Sequence, residues 1–142
     1  MKKYRIIIYM PPPMSIISKT IVLRIPSNTI YRALKDTRLE KLFPEFFIGV
    51  TRRLVVDKTN KELTFRTITQ GSQIEIIETI RLKISGNNTT EIEYTTETNA
   101  EENNLVVQSI VQTHVANILY SLLLLETGYI NGLMERKKTD YA

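Results

Sequence analysis

Cysteine and tryptophan are absent from the 142-residue chain, and histidine occurs once, as His114. The lack of cysteine excludes disulfide bonds, thiolate metal sites and thiol nucleophiles. A single histidine also excludes a histidine-rich zinc site, because zinc needs several ligands that converge on one point. We therefore expect no metal and no cofactor. His114 has no serine or cysteine partner at a readable spacing, so we expect a histidine at the flank of a helix and no catalytic triad.

Long apolar runs and concentrated charge are also absent. The longest apolar run, residues 118–125, is far shorter than the roughly 20 residues that span a bilayer. Prolines at 11–13 cut the N-terminal apolar stretch short of a secretory signal. The net charge of +4 is spread along the chain, whereas nucleic-acid binders concentrate basic residues on one face. We expect a cytoplasmic protein with no membrane span and no nucleic-acid partner. The absence of cysteine and tryptophan, together with heavy use of isoleucine, would suit a thermophile.

The length of the chain predicts one domain, residues 1–142, and its hydrophobic pattern predicts that this domain is rich in strands. Residues 1–15 are predicted to form a short N-terminal strand and a proline-rich spacer. Alternation of apolar and polar residues between turn signals predicts five further strands. They cover residues 16–25, 48–58, 61–69, 73–84 and 89–98. The short connections among the last four favour antiparallel pairing.

Helices are predicted at three places. The first opens after Pro26, with Ser27 or Asn28 as the side chain that caps it. The second covers residues 37–43 and ends at Pro44. The third covers residues 105–137, where apolar residues recur at helical spacing. The β-branched valines at its start leave residues 105–112 open as one more strand.

Three segments resemble a known superfamily. Residues 25–36 resemble its first strand end and proline-capped helix, residues 42–46 its second helix, and residues 90–97 its last strand. Over residues 18–137 the chain resembles the START-like (SRPBCC) superfamily, and we expect a small archaeal branch of it. The resemblance implies an α+β helix-grip fold, in which a curved antiparallel sheet wraps around a long C-terminal helix, with two short helices after an early strand. It also implies a cavity between sheet and helix for a small apolar molecule.

Alternation places one charged residue among the inward apolar residues on each of two strands. These are Arg52 on residues 48–58 and Glu78 on residues 73–84. Because a buried carboxylate needs a partner, the two could meet inside and orient a ligand. Glu78 would then be a pocket acid with a raised pKa. The alternatives are a place for Glu78 at the sheet rim, with Ile77 inside, and a place for Arg52 on an exposed edge.

The same alternation and the helical stripe supply the other candidates for ligand binding. Phe65, Leu122 and Tyr129 would give apolar contact, while Tyr94 and Thr96 would orient polar atoms. Glu126 lies near the stripe and could point into the cavity mouth or lie at the stripe's edge. The predicted ligand-binding set is Arg52, Phe65, Glu78, Tyr94, Thr96, Leu122, Glu126 and Tyr129.

The long helix also carries apolar residues on its far side, at Val106, Ile110, Tyr120 and Leu124. Exposed apolar patches often mark partner surfaces, so we expect a homodimer with this interface. The leading hypothesis for function is binding or transport of a small apolar or aromatic molecule. The alternatives are an enzyme of the polyketide cyclase or aromatase kind, with Glu78 or Glu126 as its acid or base, and a dimeric interaction module without a ligand.

Overall fold

The computed structural model describes residues 15–69, 74–98 and 105–140. Within them, five strands form one antiparallel sheet in the order β1-β5-β4-β3-β2. Each predicted strand in this part of the chain is confirmed, with ends shifted by at most two residues. The N-terminal strand and proline spacer lie outside the described residues. The strands are β1 (Ser15–Leu23), β2 (Val50–Lys58), β3 (Glu62–Thr69), β4 (Ile74–Gly86) and β5 (Thr89–Thr98).

Two of the hairpin turns contain an asparagine with a positive φ angle. Asn60 lies between β2 and β3 with φ of 61°, and Asn88 lies between β4 and β5 with φ of 56°. Most L-residues avoid this left-handed region, but the short polar side chain of asparagine tolerates it. These tight turns join β2 to β3 and β4 to β5 as antiparallel hairpins, β3 also pairs antiparallel with β4, and β1 pairs with β5.

Two short helices follow β1, as predicted. They are α1 (Ser27–Arg32), which continues into a π-helical turn, and α2 (Leu39–Leu42), which leads to a 3-10 turn at Pro44–Phe46. The predicted side-chain cap is wrong, because Pro26 occupies the N-cap position and no side chain caps the helix. The helix begins one residue earlier than a Ser27 cap requires, and the Pro26 carbonyl accepts its first backbone hydrogen bonds.

The C-terminal helix α3 (Leu105–Asp140) is helical from its first residue, so residues 105–112 are not a strand. Its apolar stripe packs against the sheet and forms one core with it. The stretch Leu105–Gly132 is also long and apolar enough to cross a membrane, by length and composition only, since an 18-residue window in it has a mean hydropathy of 1.2. The core helix of a soluble protein meets the same criterion. The buried apolar residues of the stripe are Val111, Val115, Ile118 and Leu122.

Candidate functional site

A carboxylate lies in the middle of the sheet face that α3 covers. Glu78 in β4 has no exposed surface, and it pairs in register with Phe65 on β3 and Thr96 on β5. The predicted inward position of Glu78 is therefore confirmed. The alternative at the sheet rim is wrong, since Ile77 on the opposite face is only half-buried.

Four side chains from four other elements surround this carboxylate with hydrogen-bond donors. Arg52 Nε on β2 lies 3.0 Å from Glu78 Oε2, and the Thr67 hydroxyl on β3 donates to the same oxygen. His114 Nε2 on α3 lies 2.8 Å from Oε1, and the Tyr94 hydroxyl on β5 donates to that oxygen. Each carboxylate oxygen thus has two partners, which satisfies a charge that is otherwise costly to bury.

The predicted ion pair between Arg52 and Glu78 is confirmed, and the exposed position for Arg52 is wrong. Arg52 is 6% exposed and reaches a second carboxylate through Nη1, 3.3 Å from Glu40 Oε1. Its guanidinium carbon lies 4.2 Å from the centroid of the Phe65 ring. A planar guanidinium suits this place because it can stack on a ring while its edge binds carboxylates.

The electrostatics of the cluster keep Glu78 ionised. Burial alone would raise the pKa of Glu78, but the Arg52 guanidinium, the His114 ring and the Thr67 hydroxyl together hold that pKa well below its usual range. The raised pKa predicted from burial is therefore wrong. Burial, with the Glu78 carboxylate beside it, raises the pKa of the Tyr94 phenol, so Tyr94 stays a donor.

His114 belongs to this candidate site, although the sequence pattern did not predict it. The expected position at the helix flank is wrong, since His114 is 3% exposed and contacts Glu78. The sequence could have indicated its buried position, because His114 lies three residues after Val111 and four before Ile118, on the apolar stripe. The Nδ1 atom of His114 has no hydrogen-bond partner among the residues that the structure describes. The ring meets Phe47 edge to face, with centroids 6.3 Å apart.

A cavity of about 480 Å³ lies between the first half of α3 and the segment that leads into β2. His114 belongs both to its lining and to the cluster around Glu78. Asn117 Nδ2 donates to the Phe46 carbonyl at 3.2 Å, which ties the two walls together. The lining consists of Phe46, Ile48, Gly49, Val50, Thr69, Ser109, Ile110, Thr113, His114 and Asn117.

The structure gathers five of the eight predicted site residues in one place. Arg52, Phe65, Glu78, Tyr94 and Thr96 are buried together behind His114. The hydroxyl oxygen of Thr96 has no partner within the described part of the chain.

The other three predicted site residues lie about two to four turns further along α3. Leu122 is fully buried in the core, and Tyr129 packs against the core from a half-buried position. Glu126 accepts a hydrogen bond of 2.7 Å from the backbone N–H of Arg24 and lies 3.6 Å from the Arg24 guanidinium. It therefore lies at the edge of the stripe, which was one of its two expected positions.

The predicted interface is only partly exposed. Val106 is 67% exposed, Tyr120 60% and Leu124 41%. Ile110 was wrongly assigned to the far side, because it packs against the core from a half-buried position and lines the cavity. The Tyr120 ring also stacks on Phe46, with centroids 6.4 Å apart.

Comparison with protein-family models and with curated proteins finds no match. Solved structures do match, at low identity. A START superfamily protein from Mycobacterium smegmatis has 9% identity and a TM-score of 0.60, over 80% of this chain and 98% of the other. An HSP90 activator from Plasmodium falciparum has 11% identity and a TM-score of 0.60, over 78% and 94%. The Zhui aromatase/cyclase from Streptomyces sp. R1128 has 10% identity and a TM-score of 0.58, over 83% and 96%.

These likenesses show the fold. The archaeal branch, the thermophilic source, the cytoplasmic location and the single-domain extent stay predictions. The predicted α+β class is confirmed, and the chain has the helix-grip fold of START-like proteins, with a curved antiparallel sheet around a long C-terminal helix.

Proposed function

We propose that this protein binds a small apolar or aromatic molecule in the cavity between the first half of α3 and the entry to β2. The observation that carries the proposal is the composition of this cavity. Its volume of about 480 Å³ lies in the range of small-molecule sites, roughly 300–1,000 Å³. Phe46, Ile48, Val50 and Ile110 give it an apolar wall, and five polar side chains share the lining, namely Thr69, Ser109, Thr113, His114 and Asn117. Ligand pockets combine apolar contact with polar groups that orient the ligand, and this lining offers both.

Two of the similar structures support the same class of ligand by analogy of fold. One is described as an aromatase/cyclase, and one as a START superfamily protein. Because fold does not determine function, the proposal depends on the cavity and uses the likeness only as support.

The predicted site residues take a supporting role in this proposal. Glu78 binds the His114 ring through Nε2, and Arg52 and Tyr94 bind Glu78 in turn. Phe65 and Thr96 are buried with them. Leu122, Glu126 and Tyr129 belong to a later part of α3 that the lining of this cavity does not include.

An enzyme that uses Glu78 or Glu126 as its acid or base is the weaker proposal. Both oxygens of Glu78 already accept hydrogen bonds, and the low pKa of its carboxyl leaves it no proton to give near neutral pH. The Glu126 carboxylate is bound to the backbone and side chain of Arg24. A cyclase-like activity would need another acid or base from the cavity lining.

The first test is native mass spectrometry of the purified protein beside a denatured sample. An extra mass that is lost on denaturation would show a bound small molecule and give its class. Equilibrium dialysis with 2-methylnaphthalene, an apolar aromatic probe, then tests the cavity itself. Ser109→Trp should fill the cavity and reduce probe binding by roughly tenfold or more, because Ser109 is an exposed residue of the lining.

Gln112→Trp is the matched control, since Gln112 is exposed on the same helix and is absent from the lining. It should leave probe binding unchanged. Equal binding by both variants, or no uptake of the probe by the natural chain, would contradict the proposed site.

A dimeric interaction module is a second candidate, favoured by the exposed apolar side chains of Val106, Tyr120 and Leu124. The likeness to an HSP90 activator fits a protein partner as well. Size-exclusion chromatography with light scattering tests the homodimer, and a monomer at every concentration would remove it. Leu124→Lys should make a dimer dissociate without loss of fold.

A further inference from the structure

We propose that a second copy of this chain extends the sheet. Residues 3–10 of one copy bind as an antiparallel strand along the free edge of β1 in the other copy, and the exchange is reciprocal. This arrangement uses an edge of the sheet and none of the residues that line the cavity, so it is independent of the small-molecule site.

Strand β1 is an edge to which another strand can bind. Among the described strands it pairs with β5 alone. Its register with β5 runs without a break over nine residues, and Lys19 is its one charged residue. Ile16 is 61% exposed and Val22 55%. A long, regular and apolar edge strand offers unpaired backbone groups to a further strand.

The opposite edge, β2, has the features that protect an edge strand. Its register with β3 shifts between Leu54 and Val56, as at a β-bulge, and bulges and charged residues disfavour the addition of a strand. It carries five charged residues, namely Arg52, Arg53, Asp57, Lys58 and the neighbouring Lys61 at its turn. The Tyr31 hydroxyl also donates to Asp57 at 2.6 Å, which ties the helical segment after β1 to this strand. The edge left open is therefore that of β1.

The segment that precedes β1 has the composition of a strand. Residues 1–14 lie outside the described residues, so their role is inferred from their sequence. Within residues 3–10, three isoleucines at 6–8 lie between Tyr4 and Tyr9. Because β-branched and aromatic residues favour strands, the sequence predicts a strand of nearly the same length as β1.

The prolines at 11–13 favour the edge of a second copy over the edge of the same chain. Met10, Pro11 and Pro12 each precede a proline, which disfavours the helical backbone angles of a type I turn. Three residues of polyproline II span about 9 Å, whereas paired strands lie about 4.8 Å apart. The segment should therefore continue past the start of β1. In a two-fold dimer, this path leads to the β1 edge of the other copy.

Charge complementarity supports the antiparallel direction. The segment begins with three basic residues, namely Lys2, Lys3 and Arg5. In an antiparallel pair they lie beside the end of β1, where Thr20 is in register with Glu93 on β5 and Val22 with Glu91. The added strand would lie about 10 Å from β5, two strand spacings, within the combined reach of the long basic and acidic side chains. Opposite charges then steer the two copies together.

The oligomeric state of the chain without an N-terminal tag gives the first test. Size-exclusion chromatography with light scattering should give twice the mass of one chain. Deletion of residues 1–13 should give a folded monomer, because β1 begins after them. Leu124→Lys, which would disrupt a dimer formed through the exposed face of α3, should leave the exchanged dimer intact. A monomer at every concentration, or a dimer that survives the deletion, would overturn the proposal.

Cross-linking of the full chain shows whether the segment crosses between copies. Unlabelled and ¹⁵N-labelled chains are mixed, refolded together and treated with an amine-reactive cross-linker. Lys2 and Lys3 precede the prolines and Lys19 lies on β1, so exchange predicts cross-links between them that join a labelled to an unlabelled peptide. Cross-links that join only peptides of the same label would show that the segment folds back on its own chain, and the proposal would be wrong. This result decides the question even if the deletion variant does not fold.

Discussion

The two faces of strand β4 carry the same kind of ion pair in opposite surroundings. On the inner face Glu78 binds Arg52, and their side chains are 0% and 1% exposed. On the outer face Arg81 binds Glu62 at 2.7 Å and Glu93 at 2.8 Å, with its own side chain 49% exposed. The residue types and distances are nearly alike. Their exposure to solvent differs, and this exposure decides how much each pair contributes to stability.

Water screens the outer pairs and competes for their hydrogen bonds, so they add little to stability. The inner pair has lost its water and depends on its protein partners. Removal of one partner leaves the other as a buried, uncompensated charge, which is strongly destabilising. The comparison therefore predicts that similar substitutions on the two faces of one strand have very different effects.

The largest effect is expected for Glu78→Gln. The change keeps the shape of the side chain but leaves the Arg52 guanidinium buried, with Glu40 as its one remaining counter-charge among the described residues. We expect a loss of about 3–5 kcal/mol in the free energy of unfolding, measured by urea denaturation. Arg52→Met should cost less in the Glu78→Gln background than in the natural chain, because the two residues are coupled. Additive losses would contradict a direct partnership.

A pH series sharpens the same comparison. The pKa of Glu78 is depressed in the folded state, so its contribution to stability is complete above the pKa of an unfolded glutamate, about 4.3. That contribution is lost as the pH falls from there toward the folded pKa. The stability difference between the natural chain and Glu78→Gln should therefore narrow below about pH 4.3. A constant difference down to strong acid would show that ionisation of Glu78 is not its source.

The smallest effect is expected for Arg81→Ala on the outer face. Although this change removes both the Glu62 and Glu93 pairs, the loss of unfolding free energy should be far below that of Glu78→Gln. Added salt should reduce it further, because salt screens exposed charges. Urea denaturation at low and high salt checks both points. A loss as large as that of Glu78→Gln would show that solvent does not separate the two faces.

Much of the sheet side of the site could be predicted from the sequence. The period of two along a strand fixes which residues share a face, and it was enough to bring Arg52 and Glu78 to the interior. This periodicity could not predict whether the carboxyl group of Glu78 is ionised. Burial alone suggested a raised pKa, but the donors Thr67, Tyr94 and His114 come from three other elements. How many of these donors reach the carboxylate depends on how the sheet and the helix pack.

The helix side of the site was less predictable. The apolar stripe of α3 runs along many turns of the helix, and its periodicity alone does not show which turn lies over Glu78. The prediction chose Leu122, Glu126 and Tyr129, whereas the cavity uses the earlier turns around Ile110 and His114. The axial position of a helix on a sheet is set by side-chain packing across the interface.

By itself, the sequence determined the α+β architecture, the faces of its strands and the exclusion of cysteine chemistry. Each follows from local periodicity or composition. Tertiary structure alone decided that His114 meets Glu78, that the carboxyl is held ionised and that a cavity opens beside them. The physical reason is distance along the chain: Glu78 and His114 are 36 residues apart, and only the packing of α3 on the sheet brings them together.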